Sequence, residues 1–128
     1  MISPAQRDQL ALPWYLSGPM SGHDDLNIPT FHRVAAAFRE QGVAILSPPE
    51  LCAPDTDWET AMAIDLAAMR QAVGLLLLPG WEHSRGARIE WVWGRVLGLP
   101  RLPIHVGWMM LVPRDFDGHS PPAPFDAW

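Results

Sequence analysis

Four consecutive leucines, Leu75–Leu78, closed at once by Pro79-Gly80, constrain this chain more than any other stretch. A short unbroken apolar run ending in Pro-Gly is the pattern of a strand covered on both faces. Such strands belong to parallel sheets flanked by helices. A polar turn, Gly80-Trp81-Glu82-His83, comes next, and from Ser84 the pattern turns helical. Ser84 suits the N-cap, and Ile89, Val92, Trp93, Val96 and Leu97 recur at helical spacing as the expected core face. Units of this kind take ligands at the carboxyl end of the strand, where the helix presents free N–H groups.

Glu90 is directed toward that spot. At about 100° per residue it falls beside Leu97, at the edge of the apolar stripe. Helical side chains lean toward the N-terminus, so its carboxylate is expected over Gly86 and Ala87, with open space before it. Two readings stand side by side: a functional carboxylate, or a boundary glutamate paired with Arg85 or Arg88.

The remaining chain repeats the strand–helix alternation. Residues 1–11 have no period and read as an N-terminal arm. Leu12–Ser17 reads as a first strand stopped by Gly18-Pro19. The Gly18–Gly22 turn leads to a helix capped by Asn27, with Pro29 in its first turn and Phe31, Val34, Ala35 and Phe38 buried. Gly42 ends that helix, and Val43–Leu46 forms a second strand closed by Pro48-Pro49. A loop from Glu50 to Asp57 follows, and Asp57 caps a helix running to about Ala72. Val73–Leu78 is the third strand; past the Ser84 helix, Gly98 and Pro100 mark a turn before a last strand, Leu102–Val106. The order β-α-β-α-β-α-β with short connections predicts an α/β sandwich around a parallel sheet of four to five strands. Trp108–Val112 is expected to form a fifth strand or an oligomer contact. The domain therefore spans 12–112, and the Pro-rich residues 113–128 form a tail.

Asp65 breaks the pattern of the second helix. Trp58, Ala61, Met62, Met69 and Ala72 project to one side, and Asp65 falls among them. A carboxylate on an apolar face is costly unless something pairs with it. It is either a buried aspartate bonded to a loop or an arginine, or a second carboxylate held in a pocket that tunes its pKa. The turn Gly18-Pro19-Met20-Ser21-Gly22 stands where a phosphate or sugar cradle is built, or else is simply a tight turn. Tyr15 projects from the first strand, and Trp81 in the turn before Ser84 is expected to line a ligand.

Other classes can be set aside. A chain of 128 residues with a formal charge of −5 and no basic run is one domain whose partner is not a nucleic-acid polymer. Cys52 is the single cysteine, so the expected setting is a reducing, cytoplasmic one. No charged-then-apolar leader opens the chain, and no run approaches the ~20 apolar residues of a membrane span. The histidines 23, 32, 83, 105 and 119 have no HxxxH or HExxH spacing, so no metal is expected. Walker, GxGxxG and GxSxG motifs are missing, and no cofactor is expected.

Three separated motifs together resemble a known superfamily. They are Tyr15-Leu16-Ser17-Gly18-Pro19-Met20-Ser21-Gly22, then Asp65 a helix before a buried strand, then Pro79-Gly80-Trp81-x-x-Ser84-x-Gly86-x-x-x-Glu90. Over residues 12–106 this resembles the nucleoside 2-deoxyribosyltransferase superfamily, and within it a group of small uncharacterised bacterial and phage domains. The 2'-deoxynucleoside 5'-phosphate N-hydrolases are a similar branch, whose tyrosine, aspartate, serine and glutamate correspond to Tyr15, Asp65, Ser84 and Glu90. The resemblance implies a flavodoxin-like Rossmann fold, homo-oligomers, and cleavage of N-glycosidic bonds in nucleosides or nucleotides. It implies Glu90 as nucleophile, Asp65 as its orienting group or proton donor, and Tyr15 holding Glu90 or the sugar. Ser84, Gly86 and the 18–22 turn would contact sugar or phosphate. The transferases usually carry an aspartate at the Ser84 position, which favours hydrolysis. Pro19 and Met20 replace the arginine of the phosphate-handling branch, and Val73 replaces a common aspartate. Two other readings remain: a phosphoribohydrolase similar to the cytokinin-activating enzymes, whose PGGxGTxxE motif PGWEHSRGARIE echoes, and a non-catalytic nucleotide-binding module.

Overall fold

The computed structural model describes residues 12–104. The expected arm, the Trp108–Val112 strand and the tail lie outside them. Four strands form one parallel sheet in the order β2-β1-β3-β4: β1 Trp14–Ser17, β2 Ile45–Leu46, β3 Gly74–Leu77 and β4 Arg101–Pro103. Helix α1 (Ile28–Glu40) joins β1 to β2. A short α2 (Pro48–Leu51) and α3 (Trp58–Met69) lead to β3, and α4 (Arg85–Val96) joins β3 to β4. This is the α/β three-layer arrangement of a flavodoxin-like fold.

The period of two along each strand divides the core. Trp14, Leu16, Leu76 and Leu78 point to one face, where Phe31, Val34, Ala35 and Phe38 of α1 cover them. Tyr15, Leu75 and Leu77 point to the other, against Met69 of α3 and Ala87 and Trp91 of α4. The four leucines thus feed both layers, as a doubly covered strand must. Two close approaches shape the packing, one between the paired strands β1 and β3 and one between α4 and the sheet. A Cβ on Gly74 would stand 2.2 Å from Trp14 Cζ3, and one on Gly94 would stand 3.3 Å from Leu75 Cδ1.

Helix ends follow their sequence signals in two of three cases. Asp57 accepts from Thr60 N, and Ser84 Oγ accepts from Ala87 N, each satisfying an orphan donor. Asn27 stands at the N-cap of α1 without making a capping bond. Its Nδ2 donates instead to Pro19 O at 2.8 Å, tying the helix start to the 18–22 turn. Asp25, Leu26 and Asn27 all have left-handed backbone, which disfavours side chains with a Cβ. Pro48-Pro49 close β2 as expected and also open α2, which takes in Glu50 and Leu51 of the expected loop; proline there costs no helix hydrogen bond. The last strand, Arg101–Pro103, begins one residue earlier than expected, and residues 105 and 106 of the expected strand lie outside the described residues.

The largest correction concerns α4. Its buried residues are Ala87, Glu90, Trp91 and Gly94, whereas Val92 and Val96 are 55% and 69% exposed. Ile89, Trp93 and Leu97 are half-buried. Small residues at 87 and 94 let the helix lie close on the sheet, and Trp91 packs under the Arg101 guanidinium at 4.0 Å. Close approach decided the orientation, not the most hydrophobic stripe.

Candidate active site

β1 and β3 are adjacent, and the chain leaves them to opposite faces of the sheet, which opens a crevice at their carboxyl ends. A cavity of about 270 Å³ occupies this place. Gly18, Met20 and Ser21 bound one side, Pro48, Pro49 and Cys52 another, and Trp58, Met62 and Asp65 of α3 a third. Ser84, Gly86, Ala87 and Glu90 complete it from the start of α4.

Glu90 is 4% exposed, and both its oxygens are held. Tyr15 Oη donates to Oε2 at 2.5 Å, and Ser17 Oγ donates to Oε1 at 2.7 Å. Tyr15 and Ser17 are two apart in β1, so both point to the face that α4 covers. Asp65, 7% exposed, reaches the same cavity from α3, and the Cys52 thiol donates to its Oδ1 across 3.9 Å. Neither carboxylate meets an arginine among the described residues, so the ion-paired readings of both are set aside. Arg39 forms a salt bridge with Glu50, away from the cavity carboxylates. Arg85 lines the cavity mouth with its guanidinium 4.4 Å over the Trp58 ring.

Burial dominates the electrostatics. Loss of water raises the Glu90 carboxyl to about 8; the Tyr15 and Ser17 bonds oppose this rise, and the Asp65 charge adds to it. Burial likewise raises Asp65 to about 6, with Tyr15 and Cys52 pulling the other way. Tyr15 is pushed well above its ordinary range by burial first and then by the Glu90 charge. Burial also raises the Cys52 thiol, aided by Asp65. Both carboxyls therefore hold their protons to a higher pH than they would in water.

The other expected site residues divide. Ser84 and Gly86 line the cavity, and a Cβ on Gly86 would stand 3.2 Å from Met62 Sδ. Pro19 and Gly22 do not line it, although Pro19 O anchors Asn27. Trp81 lies outside it, 2% exposed and stacked on Trp91 at 6.1 Å and 10°, where it borders a separate open groove along α4. Sequence reasoning overlooked Ser17, whose spacing from Tyr15 was the available signal, and Cys52, Trp58 and Met62 as cavity walls. Among the described residues no group of three or more His, Cys, Asp or Glu is placed to hold a metal ion, and no helix is long and apolar enough to cross a membrane.

A protein family described as "Domain of unknown function (DUF4406)" matches residues 12–102, most of the chain. The chain belongs to the DUF4406 family. No curated protein and no solved structure matches it. The matched span of this DUF4406 domain begins just before β1 and ends in β4, so it contains every residue of the cavity.

Proposed function

We propose that this DUF4406 domain cleaves the N-glycosidic bond of a nucleoside or nucleotide, with water as the acceptor. The observation that carries the reading is the Glu90 carboxylate, gripped by Tyr15 and Ser17 and facing a cavity that Asp65 also enters. A carboxylate fixed in this way attacks the anomeric carbon of a bound sugar. The C1'–N bond breaks through an oxocarbenium-like transition state, its electron pair goes to the base nitrogen, and Asp65 supplies the proton a neutral base needs. Water then attacks C1', frees Glu90 and gives its proton to Asp65. The mainly apolar walls suit a flat heterocycle, and Ser84 and the amide-rich start of α4 suit the sugar or a phosphate. The motif resemblance to nucleoside deoxyribosyltransferases and 2'-deoxynucleoside 5'-phosphate N-hydrolases supports the same chemistry.

One observation favours a second reading, a nucleotide-binding module without turnover. Glu90 raised to about 8 carries its proton at neutral pH and would then serve as a hydrogen-bonding group. Free base released from a panel of ribo- and 2'-deoxynucleosides and their 5'-phosphates separates the two. Release above the uncatalysed rate supports the hydrolase, and binding without release supports the module. The homo-oligomer implied by the motif resemblance would use the exposed apolar side chains of α4, Val92 and Val96.

A further inference from the structure

We propose that the cavity selects N-glycosides whose aglycone carries a fixed positive charge, a quaternised heterocycle of the pyridinium or N-alkylpurinium kind, over those with neutral bases. This rests on the N-glycoside reading and adds to it the charge of the substrate.

Among the described residues neither carboxylate in the cavity is paired with a cation, although His83 and Arg85 also line the cavity. Glu90 meets Tyr15 and Ser17, Asp65 meets Cys52, and all three partners are neutral donors. Two carboxylates withdrawn from water without a counter-charge are costly, and each favours a cation brought to it. Arg85 is exposed and stacked on Trp58, where water screens its charge, and it bonds to neither carboxylate. The walls are apolar and partly flat, with Trp58, Met62 and Pro48 among them. The Trp58 ring already carries one planar cation on its face, which is the recognition a charged heterocycle needs.

The chemistry points the same way. A neutral base must receive a proton as it leaves, so Asp65 must be protonated while Glu90 is ionised. Burial instead favours the protonated form of both carboxyls, so an ionised Glu90 is costly in the cavity unless a positive charge is brought to it. A cationic aglycone removes the conflict. Its charge favours the ionised form of both carboxylates when it binds. Glu90 then forms the C1'–O bond, the C1'–N bond breaks, and its electron pair neutralises the ring nitrogen with no proton delivered. Water attacks C1', the ester bond to Glu90 breaks, and Asp65 takes the proton. The products are free sugar, neutral base and one proton.

The test compares nicotinamide riboside with its neutral dihydro counterpart and with the common neutral nucleosides, each rate divided by its uncatalysed rate. Binding of a carbocyclic pyridinium nucleoside and its dihydro form, neither of which can be cleaved, is measured in parallel. The cationic member is expected to be favoured about tenfold or more in both. Equal or faster release from neutral nucleosides, with equal binding, overturns the charge preference and leaves the glycosidase reading standing. Tighter binding of the cation with no release from any glycoside supports the preference and removes the catalytic reading. No binding of either carbocycle, with no release, overturns both.

Discussion

Tyr15 and Glu90, 75 residues apart in sequence, share a buried hydrogen bond of 2.5 Å that joins the central strand to the helix leaving its neighbour. A bond this short to a carboxylate is charge-assisted once Glu90 ionises, and it orients the attacking oxygen. Ser17 holds the other oxygen, so the carboxylate plane is set by β1 alone.

Tyr15→Phe removes the stronger grip without changing the shape of the core. A hydrogen bond to a charged group contributes about 1.5–3 kcal/mol, which corresponds to roughly a ten- to hundredfold loss of turnover. The Glu90 limb of the pH–rate profile should move to higher pH, because a bond favouring the ionised form is gone. An unshifted profile at full rate would remove Tyr15 from the site.

Stability should fall as pH rises. Folding lifts Asp65 from 3.8 to about 6 and Glu90 from 4.5 to about 8, so the folded state binds protons more tightly than the unfolded one. The stabilisation is fully present below the unfolded values and is lost as pH rises through the folded ones. At about 1.4 kcal/mol per tenfold change in proton affinity, several kcal/mol disappear between about pH 4 and pH 9. Melting temperatures of wild type and Glu90→Gln across that range check it, since the glutamine variant should lose most of the slope.

Asp65→Asn should separate function from folding. It removes a buried carboxylate with no cationic partner, so the melting temperature at about pH 8 should hold or rise by the few degrees that ~1 kcal/mol brings to a domain of this size. Base release from neutral nucleosides should nonetheless drop roughly a hundredfold or more, the scale of lost general-acid catalysis. A variant that melts much earlier would show Asp65 to be structural.

Much of this arrangement is legible in the chain, because period carries it. Phe31, Val34, Ala35 and Phe38 recur at helical spacing and are the buried side of α1, and Asp65 shows itself as a charge among apolar neighbours. What period does not carry is distance. Ala87 and Gly94 rank low on any hydrophobic scale, yet their small size chooses the face of α4 that meets the sheet, leaving Val92 and Val96 outside. Trp81 departs from the expected place for a related reason: its polar neighbours suit an open turn, while the ring stacks on Trp91, ten residues further on. The left-handed run Asp25–Asn27 is only faintly marked, since Asp and Asn tolerate that region but Leu26 does not, and Asn27 looks like a cap yet ties to Pro19.

Gly74→Ala tests the contact between the paired strands β1 and β3. The new Cβ would lie 2.2 Å from the Trp14 ring, so the indole or the strand must shift. Overpacking of this kind typically costs about 1–3 kcal/mol, which denaturant unfolding would read directly. A variant as stable as wild type would show that Trp14 can move aside.

The apolar outer side of α4 should hold copies together. Sedimentation of the wild-type protein should show a dimer or larger species, and Val92→Asp with Val96→Asp should shift it toward monomer while leaving the fold intact. A wild-type protein that stays monomeric at high concentration would leave this face without a partner copy.

Glu90→Gln bears on the chemistry most directly, because it keeps the shape of the side chain and removes its nucleophilic oxygen. Measured as free base released from the best glycoside, the variant should lose about a thousandfold or more of the wild-type rate while still binding ligand. Base release at the wild-type rate would contradict the account and take Glu90 out of the reaction.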